Sequence, residues 1–235
     1  MSTSSPCNTR RDSITMAHQW ITVQTTLPCV PFPPSSQREP LRTERMVIRR
    51  LDQGDLIQYH QLRSQPEAMA HTRLGRPDRD LAETVSALQE HLPPHDRATF
   101  RFGAFLASTG ALVGEGGVHT LRSAACGWPE VVYYFRREVR GQGYPIEFLR
   151  GFLALWWALP RTYITIPVFT PSVAFGNGAL VTEHLAAYTA GDTGESRRVL
   201  EEVGFVAYSE WTEPDIRLHR RGQPLRVVGF VTCKR

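Results

Sequence analysis

Arg140-Gly141-Gln142-Gly143-Tyr144-Pro145 combines a permanent cation with two glycines, between a strand-like run and a helix-like run. Residues 130–135 read Glu-Val-Val-Tyr-Tyr-Phe, β-branched and aromatic as strands prefer. Residues 146–159 are too long and too rich in Leu, Phe and Trp for a strand. A strand, a glycine turn and a helix N-terminus together make an anion site, because unpaired N–H groups and the positive helix end point the same way. The glycines allow close backbone approach to a phosphate, and Arg140 adds a charge that does not titrate. This is the chemistry of a pyrophosphate cradle. It is not a Walker loop, since no Gly-Lys-Ser/Thr follows, and Ile146 stands where a dinucleotide fingerprint needs its third glycine.

Arg140-x-x-Gly143-x-Pro145 resembles the Arg-x-x-Gly-x-Gly/Ala loop that holds the coenzyme A pyrophosphate in the GCN5-related N-acetyltransferases (GNAT), except at its last position. Thr43-Glu44-Arg45-Met46-Val47-Ile48-Arg49 resembles the T-E-R-L-x-L-R entry strand of the branch related to ribosomal-protein N-terminal acetyltransferases. Thr109-Gly110-Ala111-Leu112-Val113-Gly114 is similar to its hairpin ahead of the third strand, and residues 130–135 to its fourth strand, E-I-G-Y-W-F. Ser196-Arg197-Arg198-Val199-Leu200-Glu201-Glu202-Val203-Gly204-Phe205 is similar to its late S-x-R-V-L-E-K-x-G-F segment. The motifs stand in the family's order across most of residues 41–205. On them the chain is identified as a member of the GNAT superfamily, in that branch.

The resemblance implies transfer of an acetyl group from acetyl-CoA directly to an amine of a protein or small molecule, with no covalent enzyme intermediate. It implies that the backbone of Phe135 and Arg136 lines a gap between the fourth and fifth strands, where N–H groups polarise the thioester carbonyl. Arg140, Gly141, Gln142, Gly143 and Tyr144 would hold the pyrophosphate. Thr193 would stand where the family's N-x-x-S has asparagine against the cofactor arm. Glu130 matches the strand carboxylate that acts as general base, and Ser196 the serine that protonates the leaving thiolate; an ordinary strand-start Glu and a helix N-terminal Ser are the plainer readings. Glu147 also matches a family position, where an acidic residue complements the helix dipole. Glu115 and His119 are further base candidates that ordinary structure would equally explain. Tyr133 and Tyr134 alternate across their strand, one facing the cleft and the other the core.

The 235 residues fit one domain and a tail, with a net charge of +4 consistent with an acidic cofactor. Nucleic-acid binding would want a concentrated basic stripe with aromatics. The nearest approach, Arg217, His219, Arg220, Arg221 and Arg226, reads as a solvated turn. Cys7, Cys29, Cys126 and Cys233 form no C-x-x-C pair and no secretory signal precedes them, which points to reduced thiols in the cytoplasm and to no metal site. The apolar run around Trp156-Trp157 is too short to span a bilayer. Residues 1–40, rich in Ser, Thr and Pro, read as a flexible tail, leaving residues 41–235 as the domain.

Periodicity predicts strands over 47–51, 100–107, 111–119, 130–135, 163–168, 205–211 and 225–232, with helices over 55–63, 81–92, 144–159 and 195–203. That order is mixed α/β (α+β), a largely antiparallel central sheet flanked by helices. It is also the acyl-CoA N-acyltransferase fold that the resemblance implies. Three departures bear on activity. Pro145 removes an N–H donor from the cradle, and Thr193 replaces the asparagine. Residues 168–190 form an atypical insertion, read either as a retained intron in the gene product or as a substrate-covering lid. Two rivals stay open: a weak or inactive acyl-CoA-binding relative, and a basic RNA-associated protein.

Overall fold

The computed structural model describes residues 19–70, 72, 74–173, 180–190, 194–215, 217 and 220–234. Strands β2 (Leu41–Arg42), β3 (Met46–Arg49), β4 (Phe100–Leu106), β5 (Leu112–Thr120), β6 (Glu130–Phe135), β8 (His184–Ala190), β9 (Val206–Pro214) and β10 (Pro224–Cys233) form an eight-stranded sheet. Its order is β2-β3-β4-β5-β6-β8-β10-β9. Every neighbouring pair is antiparallel except β6 and β8, which are parallel and meet at the single pair Glu130↔Ala186. Beyond that pair the two strands diverge into a V.

Helix α4 (Tyr144–Ala158) covers one face of the sheet with α5 (Gly194–Glu202). Phe148, Phe152 and Trp156, four residues apart on α4, stack ring on ring and are fully buried against Phe100, Phe102 and Phe135. Burying each such side chain is worth about 1.5–3 kcal/mol, so this stripe fixes α4, and with it the loop that precedes it. Helices α1 (Leu56–Arg63), α2 (Pro66–Met69) and α3 (Leu81–Gln89) belong to the opposite face, where Tyr59, Leu62, Ala68 and Leu88 pack with Phe105 and Leu112. Asp52 opens the first of these segments with a capping box to Asp55, and Asp80 caps α3.

Two expectations are corrected. Residues 20–28 are not a tail but strand β1 (Trp20–Pro28), paired along its whole length with β7 (Arg161–Phe169) in a separate antiparallel ribbon. Val23, Leu27, Ile166 and Val168 point inward from the ribbon onto Cys126, Trp128, Ala186 and Val231. Phe32 and Ser35, further along, are also buried. The strand expected over 163–168 therefore exists, but it is not the fifth strand of the central sheet. That place is taken by β8, from the second half of the expected 168–190 insertion. The extra segment is displaced toward the N-terminus, and β8 is an integral partner of β6. The expected helices and the remaining strands are found within a few residues of their predicted bounds.

Candidate active site

Strand β6 ends at Phe135, a short turn follows, and Gly141 and Gly143 adopt φ of +69° and +78°. Gly143 is the N-cap of α4, so the chain turns sharply and the first-turn amides of the helix face outward. The left-handed region is open to glycine at no steric cost, which explains both residues. Pro145 lies in the first helical turn, where its missing N–H costs the helix nothing but subtracts a donor from the cradle.

The cradle already holds an anion. The amide of Gly141 donates to Glu195 Oε1 of α5 at 3.2 Å, so its geometry suits an oxyanion. Arg140 reaches α2, where it donates to the backbone oxygen of Glu67. Gln142 donates its side-chain amide to the Glu138 carbonyl at 2.8 Å. The Gln142 carbonyl accepts from Arg45 Nη1, also at 2.8 Å. Arg45 further stacks 4.2 Å over the Tyr144 ring and pairs with Glu147 at 2.7 Å. Glu147 also accepts from the Thr43 hydroxyl and the Arg45 amide, and these bonds hold its carboxyl below the usual range although burial opposes them. Glu147 thus clamps the entry strand to the loop. Only the Thr-Glu-Arg motif signals Arg45 in the sequence, and nothing local in it places the side chain on the loop.

Along β6, side chains alternate between the two faces of the sheet. Tyr133 faces α4 and α5, and its hydroxyl donates to the Ser196 carbonyl at 3.4 Å. Burial pushes the Tyr133 phenol well up, so it keeps its proton. Ser196, half-buried in the first turn of α5, is thereby brought to the V. Thr193 lies outside the described residues. Glu130 and Tyr134 face the other way, the side of α1–α3 and the ribbon. Glu130 stands at the apex of the V and its Oε1 lies 3.1 Å from His119 Nε2.

Backbone direction alternates too, and it separates the two residues expected to polarise the thioester. Arg136 donates its N–H to the Val113 carbonyl of β5 at 2.8 Å. That amide is unavailable to a ligand in the V. Phe135, one residue earlier, has its N–H on the open side. Glu115, the other carboxylate considered as a base, is fully buried beside Arg101, His91, Tyr59 and Tyr134. Burial alone would raise its pKa, but Arg101 and His91 overcome that and hold it well below the usual carboxylate range. Its partners make it a structural ion pair.

A largely antiparallel sheet opened by one parallel V, with an anion cradle at the open end, defines an acyl-CoA N-acyltransferase. Residues 45–206 match the family model described as "Acetyltransferase (GNAT) domain", and the chain belongs to this family of acetyl-CoA-dependent N-acetyltransferases. No curated protein matches the sequence. Among solved structures, the chain is similar to a GNAT-family acetyltransferase from Bacillus anthracis (TM-score 0.60, 15% identity, covering 83% of this chain and 98% of that one). It is similar to spermidine N-acetyltransferase from Vibrio cholerae in complex with CoA and spermine (TM-score 0.59, 18% identity, 81% and 96% covered). A putative ribosomal-protein-serine acetyltransferase from Vibrio cholerae is alike at TM-score 0.57 and 15% identity, with 83% and 98% covered. Among the described residues no helix is long and apolar enough to cross a membrane.

Proposed function

We propose that the protein acetylates a primary amine by direct attack on acetyl-CoA held in the V, with donor and acceptor entering from opposite faces of the sheet. The observation that carries this is the single Glu130↔Ala186 pair between β6 and β8, which leaves the rest of the gap free for the thioester arm. On the α4/α5 face, Gly141, Gln142, Gly143 and Tyr144 take the pyrophosphate, and the Arg140 charge reinforces it. The Phe135 amide polarises the carbonyl. Ser196, with the phenol of Tyr133 beside it, supplies the proton to the leaving thiolate. On the other face, Glu130 takes the proton of the amine. The nitrogen then bonds to the carbonyl carbon as the carbon–sulfur bond breaks.

The acceptor would approach the Glu130 face of the sheet, the side of α1–α3 and the β1–β7 ribbon. On that side Arg217 donates to the Ala70 carbonyl at 3.3 Å. We place the enzyme in the cytoplasm and do not assign it nucleic acid. Three of the four arginines that would form a basic stripe are matched by carboxylates: Arg217 and Arg220 face Asp215, and Arg226 pairs with Glu210, while Arg221 is exposed. His219, also considered there, lies outside the described residues. A ribosomal-protein N-terminus, in keeping with the entry-strand motif, and a polyamine are the acceptors to test first.

The test is thiol release from acetyl-CoA by the full chain, with spermidine and a peptide bearing an N-terminal serine as acceptors. Amine-dependent release is the expected result. Acetyl-CoA binding without it would instead establish the inactive relative that Pro145 suggests.

A further inference from the structure

We propose that His119 positions the Glu130 carboxylate and passes its proton to solvent during each turnover. This rests on the reading of Glu130 as the base. The register between β5 and β6 slips at one place: Val118 pairs with Val131 and Thr120 with Glu130, so His119 is the extra residue of a bulge. A bulge re-aims the side chain it inserts. Here it brings the His119 imidazole alongside its cross-strand neighbour, Nε2 to Oε1 at 3.1 Å. His119 is 39% exposed and Glu130 only 20%, so the pair runs from the half-buried apex of the V toward water.

An amine that enters as an ammonium must lose a proton before its lone pair can attack. That proton moves to Glu130, from Glu130 to His119 Nε2, and from the imidazole to water. The thioester gives up its thiolate, which takes a separate proton on the other face of the sheet. The other titratable groups that bear on the pair are Cys126 of the β5–β6 connection, Tyr208 of β9, and Tyr188 of β8, whose hydroxyl is 3.0 Å from Cys126 Sγ. Burial is the largest cause raising each of the three, and the charge on Glu130 adds a smaller push to Cys126 and Tyr208. All three stay protonated at neutral pH, which leaves His119 as the group positioned to exchange the proton.

The experiment compares wild type, Glu130→Gln and His119→Gln as full chains, using spermidine and the N-terminal serine peptide across acid, neutral and alkaline pH. Glu130→Gln should lose roughly 10²-fold or more in kcat, as removal of a general base does. His119→Gln should lose about tenfold in kcat, a part of that same effect, with KM for acetyl-CoA unchanged. Its kcat/KM should lose part of its dependence on acid pH, because only a neutral imidazole can take the carboxyl proton. A wild-type rate and pH profile in His119→Gln, with Glu130→Gln slow, overturns the relay alone. A wild-type rate in Glu130→Gln overturns the base reading. Loss in His119→Gln that comes with weaker acetyl-CoA binding and an unmoved pH profile marks a structural role and also overturns the relay. If neither amine is acetylated, the ring nitrogen chemical shifts of His119 still report the pair: they should change in Glu130→Gln, and unchanged shifts overturn the contact.

Discussion

Glu195 Oε1 sits 3.2 Å from the Gly141 amide, so a carboxylate of α5 stands on the donor that a phosphate would use. Binding must displace it, and its charge opposes the incoming one. Glu195→Gln is expected to tighten coenzyme A about two- to fivefold, the scale of an exposed charge interaction. Calorimetric titration at low and high salt checks this, and the gain should shrink as salt rises.

Pro145 makes the complementary prediction. Pro145→Ala returns one N–H to the first turn of α4, aimed at a charged acceptor. A hydrogen bond to a charged group contributes about 1.5–3 kcal/mol, so coenzyme A should bind at least tenfold tighter. An unchanged Kd would mean that the second helical amide does not face the phosphates.

Gly143→Ala places a methyl group at φ +78°. The left-handed conformation costs an L-residue about 1–2 kcal/mol, and relieving it would turn the amides away from the cradle. Both Tm and coenzyme A affinity should fall, and either one staying at the wild-type value would contradict the cap.

The pairing of Glu115 with Arg101 governs acid stability. Removing one partner of a buried pair strands the other, so Glu115→Gln should cost about 3–5 kcal/mol in chemical denaturation. The sign of the pH effect follows from a folded pKa held below the unfolded one. The contribution is complete above the unfolded value of about 4.3 and is lost as pH falls from there through the folded value. Wild type should therefore lose stability below that pH more steeply than Glu115→Gln.

Leu27 tests the ribbon. It is buried at 4% exposure in the cluster with Trp128 and Val168. Leu27→Ala should destabilise the fold by about 2–5 kcal/mol, whereas a tail residue would leave Tm where it was.

What could be read along the chain was whatever is local. The β6 run, the Gly141–Gly143 turn and the aromatic stripe of α4 each carry their signal within a few residues, and all three are present where expected. Arg136 shows the limit of that reading: sequence placed it beside the gap, but the direction of its N–H depends on the register with Val113.

The exchange of β7 for β8 has the same cause. Tyr163-Ile164-Thr165-Ile166 has strong intrinsic strand preference, and Leu185-Ala186-Ala187 has little. Local preference therefore chose the first as the partner of β6. The folded chain chooses the second, because β8 has β6 on one side and β10 on the other, while β7 finds its hydrogen bonds in β1, far away in sequence. Sequence by itself determined the fold class, the glycine turn at the head of α4 and the family. Tertiary structure alone decided which strand opens the V, which amide faces it, and that His119 meets Glu130, since each depends on pairings between segments that no local preference encodes.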